Sequence, residues 1–255
     1  MRAASVRQYW HLGCALLLLA LALPGQASEP GIQAELPAAR IQQLLDSGIG
    51  ALNKGNPETA IREYFEPVIQ SFQSRYAQSD KRVFSARSPA ESLLYLASAA
   101  ASAKDGKAEK RDAIVVSGAW SDALHLEGFA LIELERFDEA KVALRRAIEI
   151  APLFAPAWNE LGAVLQVEKD WPAALAAYTS AAEGANIMAN DNPAWKNAQL
   201  SRALRGQGYV LVETDRLDEA EALYKRCLEI NADDATAKTE IRYIAQLRSK
   251  RHVSP

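Results

Sequence analysis

Residues 124–152, LHLEGFALIELERFDEAKVALRRAIEIAP, return 34 residues later as WNELGAVLQVEKDWPAALAAYTSAAEGAN (158–186). They return again as LRGQGYVLVETDRLDEAEALYKRCLEINA (204–232). Self-similarity at such a period constrains the fold more than any other feature of the chain. A unit of that length cannot bury its apolar face alone and must stack on its neighbours. Gly128, Gly162 and Gly208 mark the first half of each copy, and Ala140, Ala174 and Ala220 the second. The glycine and alanine steps are both 34 residues between the first two copies and both 46 between the last two. Twelve residues are therefore inserted between copies and none within one.

Each copy reads as a helical hairpin. Leu124, Gly128, Leu131 and Ile132 recur at three- and four-residue spacing, as do Ala140, Leu144, Ala147 and Ile148. Between the runs lie the polar turns Glu135–Asp138, Lys169–Pro172 and Asp215–Asp218. Asp138 and Asp218 are expected helix starts, with Glu139 and Glu219 in a first turn that favours negative charge. Pro172 suits a first turn, where its missing N–H is no loss. Small residues facing each other let the two helix axes approach closely.

This pattern resembles the tetratricopeptide repeat (TPR) family. The middle copy supplies Trp158, Leu161-Gly162, Leu165, Ala174, Tyr178 and Ala181, with Asn186 at the usual closing proline. The first supplies Leu124, Gly128, Leu131, Ala140, Leu144, Ala147 and Pro152, with Glu127 where leucine is usual. The third supplies Leu204, Gly208, Leu211, Ala220 and Tyr224, with Gln207, Cys227 and Ala232 as departures. The resemblance implies an all-α, TPR-like helical-hairpin solenoid whose repeats occupy residues 119–152, 153–186 and 197–234. The fold alone names no ligand.

Residues 1–27 read as a secretory signal. Arg2 and Arg7 precede an apolar core, Leu12–Leu23, that is short for a bilayer span, and Gly25-Gln26-Ala27 offers small residues for cleavage before Ser28. An uncleaved anchor is the alternative. Cys14 lies at the start of the apolar core rather than after it, which argues against a lipid anchor. Cleavage would remove two arginines and no acid, taking the net charge from −3 to −5. That balance gives no support for nucleic-acid or anionic-membrane binding. Cys227 would remain as the one cysteine, so no internal disulfide is expected, and it reads as a small buried thiol.

Residues 28–118 read as two divergent hairpins. In the first, Leu44, Gly48, Leu52, Ala60 and Tyr64 repeat the later spacing, and Pro67 falls where an alanine is expected, predicting a kink or a lost hydrogen bond. Ser79–Ser88 reads as a polar linker. The second hairpin is expected to pair a helix over Pro89–Lys104, with Leu93, Leu96, Ala97 and Ala100 on one face, with another carrying Ala113 and Val116. The inserted residues fall within 183–196, and the next helix is expected to start near Pro193, two turns early. Residues 235–255 read as a capping helix, with Ile241, Ile244 and Leu247 inward, and a basic tail.

The sequence proposes no enzyme, cofactor or metal site. No GxGxxG, P-loop, HExxH, GxSxG or CxxC occurs, and His125 has no Cys or His at metal-ligand spacing. The TPR resemblance instead implies a protein- or peptide-binding groove lined by first helices: Asp122, His125, Phe129 and Ile132 in one copy, Asn159, Ala163 and Gln166 in the next, and Arg202, Arg205 and Tyr209 in the third. Some family members clamp a carboxylate with Lys, Asn and Arg. Asn159 and Arg202 stand at such places, whereas Phe129 and Gly206 occupy others, and the two arginines have Glu160 or Glu213 as internal alternatives. The expected function is an exported, non-catalytic adaptor in a bacterial envelope assembly, in the periplasm. The alternative is a peptidoglycan- or carbohydrate-binding accessory protein using Trp120, Trp195 and Tyr209 as stacking platforms.

Overall fold

A computed structural model describes residues 36–104, 112–188 and 192–253. The signal-like stretch 1–27 lies outside them. Six helices form the three full repeats: α5 (Ala119–Glu133) with α6 (Phe137–Ile150), α7 (Ala155–Val167) with α8 (Trp171–Ile187), and α9 (Pro193–Glu213) with α10 (Leu217–Ile230). Before them, α1 (Ala38–Asn53) pairs with a long second helix made of α2 (Pro57–Thr59), a π-helical stretch (Ala60–Phe65) and α3 (Glu66–Tyr76). After them, α11 (Ala235–Val253) buries Ala237 and Ile244 against the last repeat. The expected helical-hairpin solenoid is the architecture observed.

The small-residue pattern has the physical role its spacing implies. A Cβ added at Gly128 would lie 2.7 Å from Leu144, one at Gly162 2.8 Å from Tyr178, and one at Gly208 2.7 Å from Tyr224. Ala140, Ala174 and Ala220 are wholly buried in the same seams. Each hairpin therefore seats one large side chain of its second helix directly on the backbone of its first. The helix ends are equally regular. Gly55, Glu135, Lys169 and Asp215 all have positive φ, between 58° and 73°. In each turn the following N–H, from Asn56, Arg136, Asp170 or Arg216, reaches back to Ala51, Leu131, Leu165 or Leu211. This is a left-handed helix stop with a six-to-one bond. It places Arg136 and Arg216 at the N-caps, so Asp138 and Asp218 lie one step inside the helices they were expected to start.

The first hairpin obeys the same rule in a shifted register. Gly48 meets Phe65, not Tyr64. The π-helical turn holds one extra residue, with the Glu66 N–H donating to the Ile61 carbonyl five residues back. It rotates everything beyond it by one position. Phe65 and Val68 become fully buried, while Tyr64 and Pro67 are half-buried. Pro67 thus leaves the inner face, and the wide turn just before it tolerates its missing N–H.

Residues 82–117 depart from the expected second hairpin. They form β1 (Arg82–Ala86), α4 (Pro89–Lys104) and β2 (Ala113–Ser117), and the strands pair in parallel from Arg82 opposite Ala113 to Ala86 opposite Ser117. The expected helix through Ala113 and Val116 is therefore a strand. Its Ile-Val-Val run suits a pleated, half-buried surface better than a helix. On α4 the buried side is not the predicted one. Glu91 and Tyr95 face inward, whereas Leu93 is 70 % exposed and Leu94, Leu96, Ala97 and Ala100 are also exposed. Arg87 and Phe84 explain this rotation. Glu91 accepts from the Arg87 backbone N–H at 2.7 Å, and the Tyr95 ring stacks on Phe84 at 5.1 Å.

Candidate protein-binding groove

The first helices of the hairpins meet around a cleft of about 390 Å³. Gln42, Leu45 and Ile49 of α1 form one wall, Asp122, His125 and Leu126 of α5 the floor, and Phe154, Pro156 and Trp195 the far side. Trp195 is there because α9 begins at Pro193. The Asn192 side chain caps that start by accepting from the Trp195 N–H at 3.0 Å, and the early turns carry the indole over the cleft. Ile49 is 41 % exposed and Leu45 is buried, so the wall is apolar but only partly covered.

One corner is polar and closed by Arg87, which enters from the β1–α4 connection. Its guanidinium donates to Asp122 at 2.9 Å, to Glu91 at 3.1 Å and to Ser121 at 2.9 Å, and lies 3.4 Å from the centre of the Phe154 ring. Two carboxylates and an aromatic face hold it, so the corner carries no net positive charge. His125 stands edge-on to Phe154 with ring centres 5.3 Å apart. Burial, with Arg87 and then Arg202 nearby, pushes its pKa down to about 3. It is neutral at physiological pH. Its Nε2 is shut from solvent and has no hydrogen-bond partner among the described residues.

Of the ten residues expected to line a groove, the structure brings Asp122 and His125 into this cleft. The others stand elsewhere or are engaged. Asn159 is fully buried and donates to the Gln199 carbonyl and side chain at 3.2 and 3.1 Å. Gln166 accepts from the Tyr178 hydroxyl at 3.0 Å. Arg202 grips Glu160 with two bonds of 2.6 and 2.7 Å, and Arg205 bonds Asp234 at 2.7 Å. Asp234 also caps α11 by accepting from the Ala237 N–H, so Arg205 ties the last repeat to the capping helix. The arginine positions are structural ties between successive first helices rather than open carboxylate ligands. Phe129 and Ile132 are half-buried. Tyr209 is exposed and tilted against Trp171 at 6.3 Å. As for glycan platforms, Trp120 is only 6 % exposed and stacks on Phe72 at 5.6 Å, leaving no free ring face at the surface.

The residues that sequence reasoning missed had a usable signal in part. Gln42, Leu45 and Ile49 precede Asp122, His125 and Phe129 by 80 residues, the same offset as Gly48 to Gly128. Extending the repeat alignment to the first hairpin would have found them. Arg87 had no such signal, because its place depends on the β-α-β insertion.

Comparison with known proteins agrees with this architecture. A family model described as "Tetratricopeptide repeat" matches residues 121–152 and 203–234, the first and third copies. No curated protein matches the chain. A solved structure titled for functional characterization of Pseudomonas aeruginosa pilF is similar with a TM-score of 0.54 at 14 % identity, over 83 % of this chain and 70 % of that one. A thermophilic TPR protein of Thermus thermophilus has a TM-score of 0.40 at 16 % identity, covering 81 % of this chain and 99 % of that one. The first TPR of Spaghetti (RPAP3), solved with an HSP90 peptide, has a TM-score of 0.44 at 19 % identity, over 51 % of this chain and 93 % of that one. By the family match the chain contains tetratricopeptide repeats, and its likeness to the pilF structure is one of fold. Among the described residues, no helix is long and apolar enough to cross a membrane.

Proposed function

We propose that the chain is an exported, non-catalytic scaffold that holds an extended segment or a helix of a partner protein in the cleft between its first helices, within a bacterial envelope assembly. A repeat solenoid offers a rigid framework for such a surface. The carrying observation is the composition of the cleft. Leu45, Ile49, Leu126, Phe154, Pro156 and Trp195 provide an apolar wall, and Gln42 with the Arg87–Asp122 pair supplies polar groups beside it. A binding surface needs this combination of apolar area and a few placed polar groups. Because Arg202 and Arg205 are already paired, the recognised feature is an apolar side chain rather than a terminal carboxylate. Export rests on the Arg2, Arg7 and Leu12–Leu23 pattern of the sequence.

The test is capture of partners from an envelope extract by the wild type and by Ile49→Asp and Trp195→Ala variants, both verified as folded. Loss of the same protein from both variants supports the reading. Retention of every partner by both contradicts it, and binding only to purified glycan strands would favour a carbohydrate-binding accessory role. Sequencing the N-terminus of the exported protein tests processing, with a start near Ser28 expected.

A further inference from the structure

A second, larger cleft lies where the β-α-β insertion meets the repeats. It measures about 820 Å³, within the range of small-molecule sites. Gln73, Tyr76 and Ala77 of the first hairpin, Lys81, Arg82 and Val83 at β1, Ala99 of α4, Trp120 and Leu124 of α5, and Arg146, Glu149 and Ile150 of α6 surround it. This chain has the cleft because β1 and α4 replace a second hairpin.

Its charges are unbalanced. Among the described lining residues Lys81, Arg82 and Arg146 meet one carboxylate, Glu149, and Glu127 lies near Arg146 outside the lining. Several cations elsewhere do hold carboxylates, among them Arg87, Arg136, Lys141, Arg202, Arg205, Arg216 and Arg248. Among the described residues none of the three cleft cations has an ion pair. Arg82 lies over the Phe84 ring at 4.7 Å, and the Gln73 side-chain amide lies against Arg146. An independent observation concerns Trp120. It is 6 % exposed, stacked against Phe72 and Tyr76 in the cleft wall, and its indole N–H has no acceptor among the described residues. Buried donors are normally satisfied.

The geometry points to a binding site for a small organic anion whose charged end is a carboxylate or a phosphate, held by Arg82, Arg146 and Lys81 with Trp120 in the wall. Arginine suits either group because its planar fork donates in pairs, and lysine adds a point charge. Val83, Ala99, Leu124 and Ile150 would cover the apolar remainder of such a ligand. The site is separate from the partner cleft: the two share no lining residue.

The test follows the Trp120 indole N–H cross-peak in a 15N-correlated NMR spectrum of the folded protein, assigned by its loss in Trp120→Phe. The probes are inorganic phosphate and succinate, each added at ionic strength matched with sodium chloride. A saturable shift with either probe, weakened at least tenfold in Arg82→Gln/Arg146→Gln but not in Arg145→Gln, supports the site. Arg145 is exposed on the same helix and does not line the cleft. A shift with phosphate alone assigns a phosphate ligand, and one with succinate alone a carboxylate. No saturable shift with either, or an equal response in the double variant, overturns it. The indole peaks of Trp158 and Trp171 report that each variant is folded.

Discussion

Arg202 and Glu160 face each other across α9 and α7 through two bonds of 2.6 and 2.7 Å, with the Glu160 side chain only 5 % exposed. The pair fastens one repeat to the next and removes from the groove a cation that sequence alone would assign to ligand binding. Arg202→Ala leaves a buried carboxylate without its partner. Because the guanidinium is itself 41 % exposed, the loss is about 2 kcal/mol rather than the full cost of a buried pair. Urea unfolding measures it, and Glu160→Gln/Arg202→Ala is expected to recover part of the loss.

Tyr178 lies between two glycines, one from its own hairpin and one from the next. A Cβ at Gly162 would come within 2.8 Å of the ring, and one at Gly206 within 2.4 Å. Gly206→Ala is expected to destabilise by about 2 kcal/mol through overpacking. Gly50→Ala, in α1 with nothing within 4 Å of the added atom, is expected to stabilise by about 0.5–1 kcal/mol. Opposite signs for the same chemical change in thermal unfolding would confirm that the seams, rather than helix propensity, select the glycines.

The hairpin turns offer a gain. Glu135, Lys169 and Asp215 hold left-handed backbone with φ of 58°, 60° and 64°, where Gly55 stands in the first hairpin. Replacing Lys169 with glycine relieves that strain, offset by the added freedom of the unfolded chain. The expected net gain is about 0.5–1 kcal/mol, read from the urea midpoint at unchanged slope.

Two groups give stability opposite pH dependences. Burial raises the Glu127 carboxyl to about 7, above its ordinary 4.5, with Arg146 opposing the shift. The folded state holds that proton more tightly than the unfolded chain, so its contribution falls as pH rises from about 4.5 to about 7. His125 is lowered to about 3 from 6.5. The unfolded chain then binds its proton first, and stability falls as pH drops below 6.5. The two slopes oppose each other between about pH 4.5 and 6.5, so Glu127→Gln is expected to remove the loss between about 6.5 and 7 and His125→Gln the loss below about 4.5, each by at most about 1.4 kcal/mol per pH unit. Chemical denaturation at pH 4, 5.5, 7 and 8 checks both.

Much of the fold was legible because its signal is periodic. Gly128, Ala140 and their equivalents state the packing seam directly, and stacking follows from it. What escaped reading was whatever breaks the period. The π-helical turn at Ala60–Phe65 displaces Tyr64 by one place in favour of Phe65, and no local residue announces an extra backbone position. The strands Arg82–Ala86 and Ala113–Ser117 find each other only across α4, so neither looks more than a short apolar run alone. The groove was half legible for a related reason. Asp122 and His125 follow from repeat position, but the pairing of Arg202 and Arg205 depends on acids 42 and 29 residues away.

The partner cleft is tested most directly by site-specific photo-crosslinking in envelope extract, with a benzophenone amino acid placed at Ile49, at Trp195 or at Val142. The first two line the cleft from α1 and α9, while Val142 is 57 % exposed on the second helix α6. The expected result is one and the same protein captured from Ile49 and Trp195 and not from Val142. Capture from Val142 alone, or equally from all three positions, would contradict a binding groove between the first helices.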